Sequence, residues 1–332
     1  MARLRIAILG CGGYAGVHAQ RLRQRDDVEL VALCDVKDEI TRAYADYHLA
    51  DCPTAPQHFT DPAAMYRDAA PDAVFICTPH TLHFKHAMQA LDADCHVFIE
   101  KPMVTNARQA HQLKARADES GKIVTVGYNS SCTPELQYTR NCIRTGELGK
   151  LELVVGHISQ SWMAFTLGKW RQEPELSGGG QAYDSGAHLL NSLVWSVEAD
   201  IDQVFAFIDN HGTKVDINSA INIRFANGVL ASIAISGNCP TNGTYMSFIF
   251  DGGKINVDGW SGTWIEVFKG NRRIKYPPIV GEPVTPDDNF IDAIQGNAEP
   301  AATPANGVVQ SELMDAIYES ARTNAPAKPR RQ

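Results

Sequence analysis

The stretch Leu4-Arg5-Ile6-Ala7-Ile8-Leu9-Gly10-Cys11-Gly12-Gly13-Tyr14-Ala15-Gly16 joins an apolar run to a glycine-rich loop. Leu4 to Leu9 has the length and near-continuous hydrophobicity of a strand buried on both faces of a parallel sheet. A helical pattern then continues to about Arg25. The loop reads G-x-G-x-x-A at Gly10, Gly12 and Ala15. Gly10 permits the tight turn, Gly12 lets a phosphate approach the backbone around Gly13 and Tyr14, and Ala15 lets the helix pack close to the strand. The N–H groups at the helix start then face that phosphate. Strand, loop and helix in this order predict a dinucleotide-binding unit.

The next apolar run, Val28 to Cys34, ends in Asp35. An acid at that place, about 20 residues beyond the glycines, can bond the adenosine ribose hydroxyls and would repel a 2′-phosphate. Val36 and Lys37 follow without an arginine, so NAD is expected over NADP. Asp35 also suits a helix N-cap, and the two roles are compatible. Further units follow: Asp61-Pro62 opens a helix, Ala73 to Cys77 is a strand ending in Thr78-Pro79-His80, and a helix runs from about Leu82 to Leu91. His96 to Ile99 is a strand that delivers Glu100-Lys101-Pro102, and Lys122 to Val126 is another, leading to Gly127-Tyr128-Asn129. Repeated strand–helix units imply a parallel sheet, and ligands bind beyond the carboxyl ends of its strands. The glycine loop, Asp35, Cys77, Thr78, Pro79, His80, Glu100, Lys101 and Asn129 are expected along that edge.

Pro102 disfavours helical backbone at Lys101 and holds it extended. From these residues alone Lys101 is either a solvated charge or one aimed by the strand beneath it.

The texture changes after about residue 150. Leu151 to Ser161 alternates like a long strand, and residues 164–182 read as an irregular loop carrying Trp170-Arg171 and Gly178-Gly179-Gly180. Tyr183 to Val197 reads as a helix, followed by strand-like runs near 201–209, 215–226, 228–237, 244–251 and 262–277. Asn227-Gly228 is a hairpin signal. Clustered strands joined by hairpins mean a mostly antiparallel sheet. The expected organisation is α/β: a Rossmann domain over 1–128, an α+β domain with a large open sheet over 129–325, and a frayed basic tail over 326–332. A final apolar-faced helix, about Ala305 to Ala321, is expected to pack back on the first domain.

Asp184-Ser185-Gly186-Ala187-His188 follows the glycine run. At i and i+4, Asp184 and His188 would share one helix face. Such a pair is a surface ion pair, a satisfied core histidine, or a proton-transfer pair.

Bulk composition excludes several classes. The chain has 332 residues, 44% hydrophobic and 20% charged, with Lys+Arg 30 against Asp+Glu 38 and a net charge of −8. That balance gives no general attraction to nucleic acid or anionic membrane. No apolar run approaches the ~18 residues of a membrane span. The amino terminus enters a strand directly, so a cytoplasmic location is expected. The eight cysteines form no Cys-x-x-Cys pair, so no metal site is expected.

Taken together, the glycine loop, Glu100-Lys101-Pro102, Gly146-Glu147-Leu148-Gly149, and Gly178-Gly179-Gly180 followed by Asp184 and His188 resemble the Gfo/Idh/MocA family (glucose–fructose oxidoreductase, inositol dehydrogenase, rhizopine catabolism) along the whole chain. The resemblance implies NAD(P)-dependent oxidation or reduction at a carbon of a sugar, sugar derivative or cyclitol, by a homodimer or homotetramer formed through the open sheet. It implies that Lys101 bonds the substrate hydroxyl and the nicotinamide region, that Asp184 holds the substrate, and that His188 is the acid/base. Thr78, Pro79, His83, Glu100 and Asn129 would line the cofactor, Trp170 and Arg171 would reach cofactor or substrate, and Lys101–Pro102 would be cis. Tyr128 and Trp162 join the expected substrate pocket, Trp162 as a ring suited to a sugar. Two departures stand out: Asn129-Ser130-Ser131-Cys132 where many members carry Arg-Phe, and Asn191 where many carry Asp. Both remove charge near the expected pocket. Two other readings share these motifs. One is glycoside hydrolysis through transient oxidation by a retained NAD. The other is a non-enzymatic dinucleotide sensor, against which the presence of Lys101, Asp184 and His188 argues.

Overall fold

A computed structural model describes residues 3–330 of the chain, which divides into two compact units. The first comprises Met1–Val104, Gln109–Gly127 and Pro286–Pro304, and the second Thr105–Arg108, Tyr128–Thr285 and Ala305–Gln332.

The first unit is built on β1 (Leu4–Leu9), β2 (Val28–Cys34), β3 (Gln57–Phe59), β4 (Ala73–Ile76), β5 (His96–Ile99) and β6 (Val124–Val126). They form one parallel six-stranded sheet in the order β3-β2-β1-β4-β5-β6. Strand order reverses between β1 and β4, which is where such sheets open a ligand crevice at their carboxyl edge. Ile6, Ile8, Phe75 and Phe98 are fully buried in the sheet core, and Phe75 stacks on Phe98 at 4.5 Å. Their stripe is closed by Phe290 and Ile291, from the helix Pro286–Ile294. This segment lies late in the chain, so the boundary between units is not a single cut near residue 128. The helix Pro62–Ala69 begins as its sequence says: Asp61 accepts from the N–H groups of Ala63 and Ala64.

The second unit carries β7 (Leu151–Ser159), β8 (Ile201–Asp209), β9 (Asn218–Phe225), β10 (Leu230–Ser236), β11 (Gly243–Phe250), β12 (Gly253–Val257), β13 (Ile265–Lys269) and β14 (Arg272–Ile274). Their order is β14-β13-β12-β11-β7-β10-β9-β8, antiparallel throughout except for the β7–β10 pair. The expected long run 262–277 is therefore two short strands, and β12 adds a strand. One face of the sheet carries the core residues Val154, Ile221, Ala231, Ile233, Phe248 and Ile255, packed with the helix Gly186–Val197. The opposite face exposes Val155, Phe207 and Leu230 among polar neighbours. The final helix, Pro304–Thr323, belongs to this unit, its Leu313 and Ile317 buried in the core just described. Beyond it, Ala327 exchanges two backbone hydrogen bonds with Val204, which tie the tail at that residue. Arg331 and Gln332 lie outside the described residues. No helix among the described residues is long and apolar enough to cross a membrane.

Candidate functional site

In the first unit, the glycine loop, Asp35, Cys77 to His80 and Glu100-Lys101 follow the carboxyl ends of β1, β2, β4 and β5. Gly10 takes a φ of +94°, and a Cβ there would stand 2.8 Å from the Cys77 carbonyl carbon, so only glycine lets β1 leave the sheet beside β4. A Cβ on Gly12 or Gly13 would meet nothing within 4 Å, which leaves open space against that backbone. The helix Ala15–Leu22 has no side-chain cap at Tyr14. Its amino end therefore offers N–H groups to an anion, and this cradle fits a pyrophosphate. Asp35 is not the cap of the next helix, which starts at Asp38. Instead its Oδ2 accepts from Cys11 N–H at 2.7 Å and its Oδ1 from Val36 N–H at 2.7 Å. Each carboxylate oxygen keeps a second lone pair for a ribose hydroxyl.

Glu100 and Lys101 leave the end of β5, and the Lys101–Pro102 peptide is cis. His83 is fully buried, with Nδ1 2.7 Å from the Pro102 carbonyl and Nε2 2.8 Å from the Thr78 carbonyl. Burial pushes its pKa down against the pull of the two carbonyls, and the ring bridges the lysine–proline turn to the end of β4. His83 thus acts behind the edge. His80 is likewise buried, and Pro79 begins the short turn His80–Leu82. Cys77 and Thr78 continue directly from β4.

A set of residues that the motifs did not indicate stands behind Glu100. His18 is buried, with Nε2 3.0 Å from Glu100 Oε1 and Nδ1 2.7 Å from Asp287 Oδ1. Arg21 Nη1 donates to Asp287 Oδ2 at 2.7 Å. Facing two carboxylates, the ring needs a proton on both nitrogens. Burial opposes that charge, but the fields and hydrogen bonds of Asp287 and Glu100 prevail and raise the His18 pKa to about 9. Burial alone would raise the Asp287 carboxyl, and His18 and Arg21 hold it below its usual range. One signal was readable: Ala15, His18, Ala19 and Leu22 occupy one helix stripe, so the histidine was due to be buried.

In the second unit, Asp184 and His188 do not share a helix face. The helix begins at Gly186, and Asp184 lies in the preceding turn. The Asp184 carboxylate is buried, and its Oδ2 accepts from Trp162 Nε1 at 2.7 Å and from Arg171 Nε at 3.0 Å. The Arg171 guanidinium lies 4.4 Å over the Trp170 ring, so Trp170 and Arg171 are packed as one unit. Trp162 is 0% exposed, so it supports Asp184 and offers no open face to a sugar. His188 is buried in the first turn of its helix, with Tyr128 edge-on at 5.8 Å and Trp260 stacked on it at 4.3 Å. Asn129 is half-buried. Asn191 is fully buried in a neutral chain, donating to Gln310 Oε1 at 3.0 Å and accepting from Ser130 Oγ at 3.4 Å. Its partner Gln310 is one that no local pattern indicates.

The glycine run ahead of Asp184 is held by another residue the motifs did not indicate. Asp216 accepts from Gly180 N–H at 2.6 Å, Ala182 N–H at 2.7 Å and the Tyr318 hydroxyl. A Cβ on Gly180 would stand 2.0 Å from the Asp216 carbonyl oxygen, so this position needs glycine for space.

Residues 4–128 match the family model for an oxidoreductase family with an NAD-binding Rossmann fold, and residues 136–259 match the GFO/IDH/MocA C-terminal domain. D-glucoside 3-dehydrogenase of Escherichia coli K12 is 26% identical over 362 residues, covering 96% of each chain. The solved structure of levoglucosan dehydrogenase in complex with NADH aligns with a TM-score of 0.87 at 19% identity, over 99% of this chain and 100% of that one. The WlbA dehydrogenase of Bordetella pertussis, solved with NADH and UDP-GlcNAcA, aligns with a TM-score of 0.85 at 22% identity, over 99% of this chain and 100% of that one. The chain belongs to the GFO/IDH/MocA family of oxidoreductases and carries its NAD-binding Rossmann fold.

Proposed function

We propose that the protein is an NAD-dependent dehydrogenase of a sugar, sugar derivative or cyclitol, working through Lys101, Asp184 and His188. The observation that carries this reading is the Asp184 carboxylate, buried and fixed by Trp162 and Arg171 in the turn that leads into the helix of His188. A carboxylate so held has a set direction, as a group that orients a substrate hydroxyl must have. His188 takes the hydroxyl proton as the carbon is oxidised. Lys101, aimed by the His83 clamp on Pro102, lowers the cost of the developing alkoxide. The bound nicotinamide supplies the hydride acceptor. Asp35 meets the ribose hydroxyls and disfavours a 2′-phosphate, so NAD is the working cofactor. The D-glucoside 3-dehydrogenase relative supports a pyranoside ring as substrate. The exposed sheet face carrying Val155, Phe207 and Leu230 supports a homodimer or homotetramer joined there.

The test is a panel of sugars, glycosides, inositols and sugar acids with NAD and NADP, read as absorbance of the reduced cofactor. Turnover should be seen with NAD and should fall about 100- to 10,000-fold in His188→Ala. Full turnover in both His188→Ala and Lys101→Ala would sink the assigned roles. Release of free sugar from an aryl glycoside with no net NADH change would identify redox-assisted hydrolysis instead. Tight NAD binding without turnover on any substrate would identify a sensor.

A further inference from the structure

A cavity of about 310 Å³ opens in the second unit where the turn after β12 meets the ends of β7 and β11. Its walls include Gln160, Asn242, Thr244, Asp258, Trp260 and Trp264. Trp260 belongs both to this wall and to His188, on whose ring it lies at 4.3 Å and 18°. We propose that this cavity is a second subsite, taking a neutral sugar ring joined to the one that is oxidised, so that the substrate is a glycoside of two rings rather than a free monosaccharide. The proposal rests on the dehydrogenase reading for the identity of the first ring.

The wall is built rather than loose. Asp258 is buried and gathers the turn around itself, accepting from Trp260 N–H at 3.1 Å, Ser261 Oγ at 3.2 Å, Thr263 N–H at 3.2 Å, Thr263 Oγ1 at 2.8 Å and the Thr244 hydroxyl. Trp264 leans on Tyr245 at 5.8 Å and remains 37% exposed, so one indole is available to a ligand. Indole faces suit the C–H face of a pyranose, and the amides of Gln160 and Asn242 suit its hydroxyls. The volume is at the small end for a ligand pocket, which fits one ring.

Charge selects the class. Among the described residues no lysine, arginine or histidine lines the cavity, and the buried Asp258 carboxylate belongs to its wall. A phosphate or uronate would enter against that field without a cation to meet it. A nucleotide-sugar substrate is therefore excluded from this subsite, and a neutral ring is favoured.

The test compares kcat/KM of wild type and Trp264→Ala with NAD on methyl glucoside, glucose, maltose and cellobiose. We expect the better disaccharide to exceed glucose in wild type. Trp264→Ala should lower the ratio of disaccharide to monosaccharide kcat/KM about tenfold, through KM. An unchanged ratio, or preference for UDP-glucose over the disaccharides, would overturn the subsite. Should no sugar be oxidised, the dehydrogenase reading fails by itself. The subsite is then read by saturation-transfer NMR of the same disaccharides on the NAD-loaded protein. Signal lost in Trp264→Ala supports it, and no signal, or signal retained, overturns it.

Discussion

The imidazole of His18 sits 2.7 Å from the carboxylate of Asp287, although 269 positions separate them in sequence. With Arg21 on the far oxygen of Asp287 and Glu100 on the other ring nitrogen, two cations balance two carboxylates behind the glutamate–lysine–proline edge. Removing one partner leaves a buried charge uncompensated, which costs about 3–5 kcal/mol. His18→Ala should lie within that range, towards its lower end because Arg21 still meets Asp287. Urea unfolding at pH 6 measures it, and a loss under about 1 kcal/mol would rule the network out as a stabilising device.

The same network fixes a pH dependence. His18 has a folded pKa raised to about 9 from an ordinary 6.5, so its contribution is full below pH 6.5 and disappears as pH rises through about 9. Asp287 has a lowered folded pKa, so its contribution is present above its ordinary 3.8 and disappears as pH falls through the folded value. The stability difference between wild type and His18→Gln should therefore be level from about pH 5 to 6.5 and shrink towards pH 9. Urea midpoints taken at intervals across that range decide it, and a difference that grew with pH would reverse the assignment.

Asp216 holds the chain that leads to Asp184. Its two oxygens take the Gly180 and Ala182 N–H groups, which would be left buried and unpaired in Asp216→Ala. Charge-assisted bonds of this kind contribute about 1.5–3 kcal/mol each, so a loss of about 3 kcal/mol or more is expected. Asp216→Asn keeps one acceptor and should recover part of it. Thermal unfolding gives the stability, and turnover measured on the folded fraction should fall as well, since the misplaced segment ends in Asp184.

How much of this was legible follows from the range over which each feature is encoded. The glycine loop, Asp35 and the strand ending at Lys101 are local, and their order along the chain put them on one sheet edge. The alternation of residues 201–236, with Asn227-Gly228 between two of its strands, likewise announced an antiparallel sheet. Short elements were harder to read. Gly253–Val257 follows its turn at once and has too few residues to show a period, and Lys269 pairs with Arg272 across Gly270-Asn271, splitting what looked like one run. The helix start was misplaced because Tyr183 and Asp184 have helical spacing, whereas the first helical residue is Gly186. Partners remote in sequence carried no signal. Nothing near Gly180 points to Asp216, and nothing near Asn191 points to Gln310. The role of Trp162 needed coordinates too, because an indole in a loop reads the same whether it faces a ligand or a carboxylate.

Trp162→Phe keeps an aromatic ring, though a smaller one, and deletes the Nε1–H that meets Asp184 Oδ2 at 2.7 Å. Arg171 Nε remains on that oxygen at 3.0 Å. The loss of one charge-assisted bond to a buried carboxylate should lower kcat/KM about 10- to 100-fold while costing about 1.5–3 kcal/mol of stability. The proposed role requires kcat to fall; a loss confined to KM would count against Trp162 as the group that positions Asp184.

Asp35 decides between the two nicotinamide cofactors. Its carboxylate already serves the loop by accepting from Cys11 N–H, so its removal acts on two things: the ribose contact and the loop itself. Asp35→Ser keeps a short acceptor for Cys11 N–H and removes the charge. The ribose hydroxyls lose a charged acceptor, worth about 1.5–3 kcal/mol, so the NAD kcat/KM should fall roughly 10- to 100-fold. The NADP value should not fall with it, because repulsion of the 2′-phosphate is relieved. Lys37, two residues on, then becomes the nearest sequence cation to that phosphate, and Asp35→Ser with Lys37→Arg should move the NAD:NADP ratio further towards NADP than Asp35→Ser alone. Initial rates with each cofactor at saturating substrate provide the ratio. Equal losses for NAD and NADP in Asp35→Ser would mean that the carboxylate only shapes the loop and does not read the ribose.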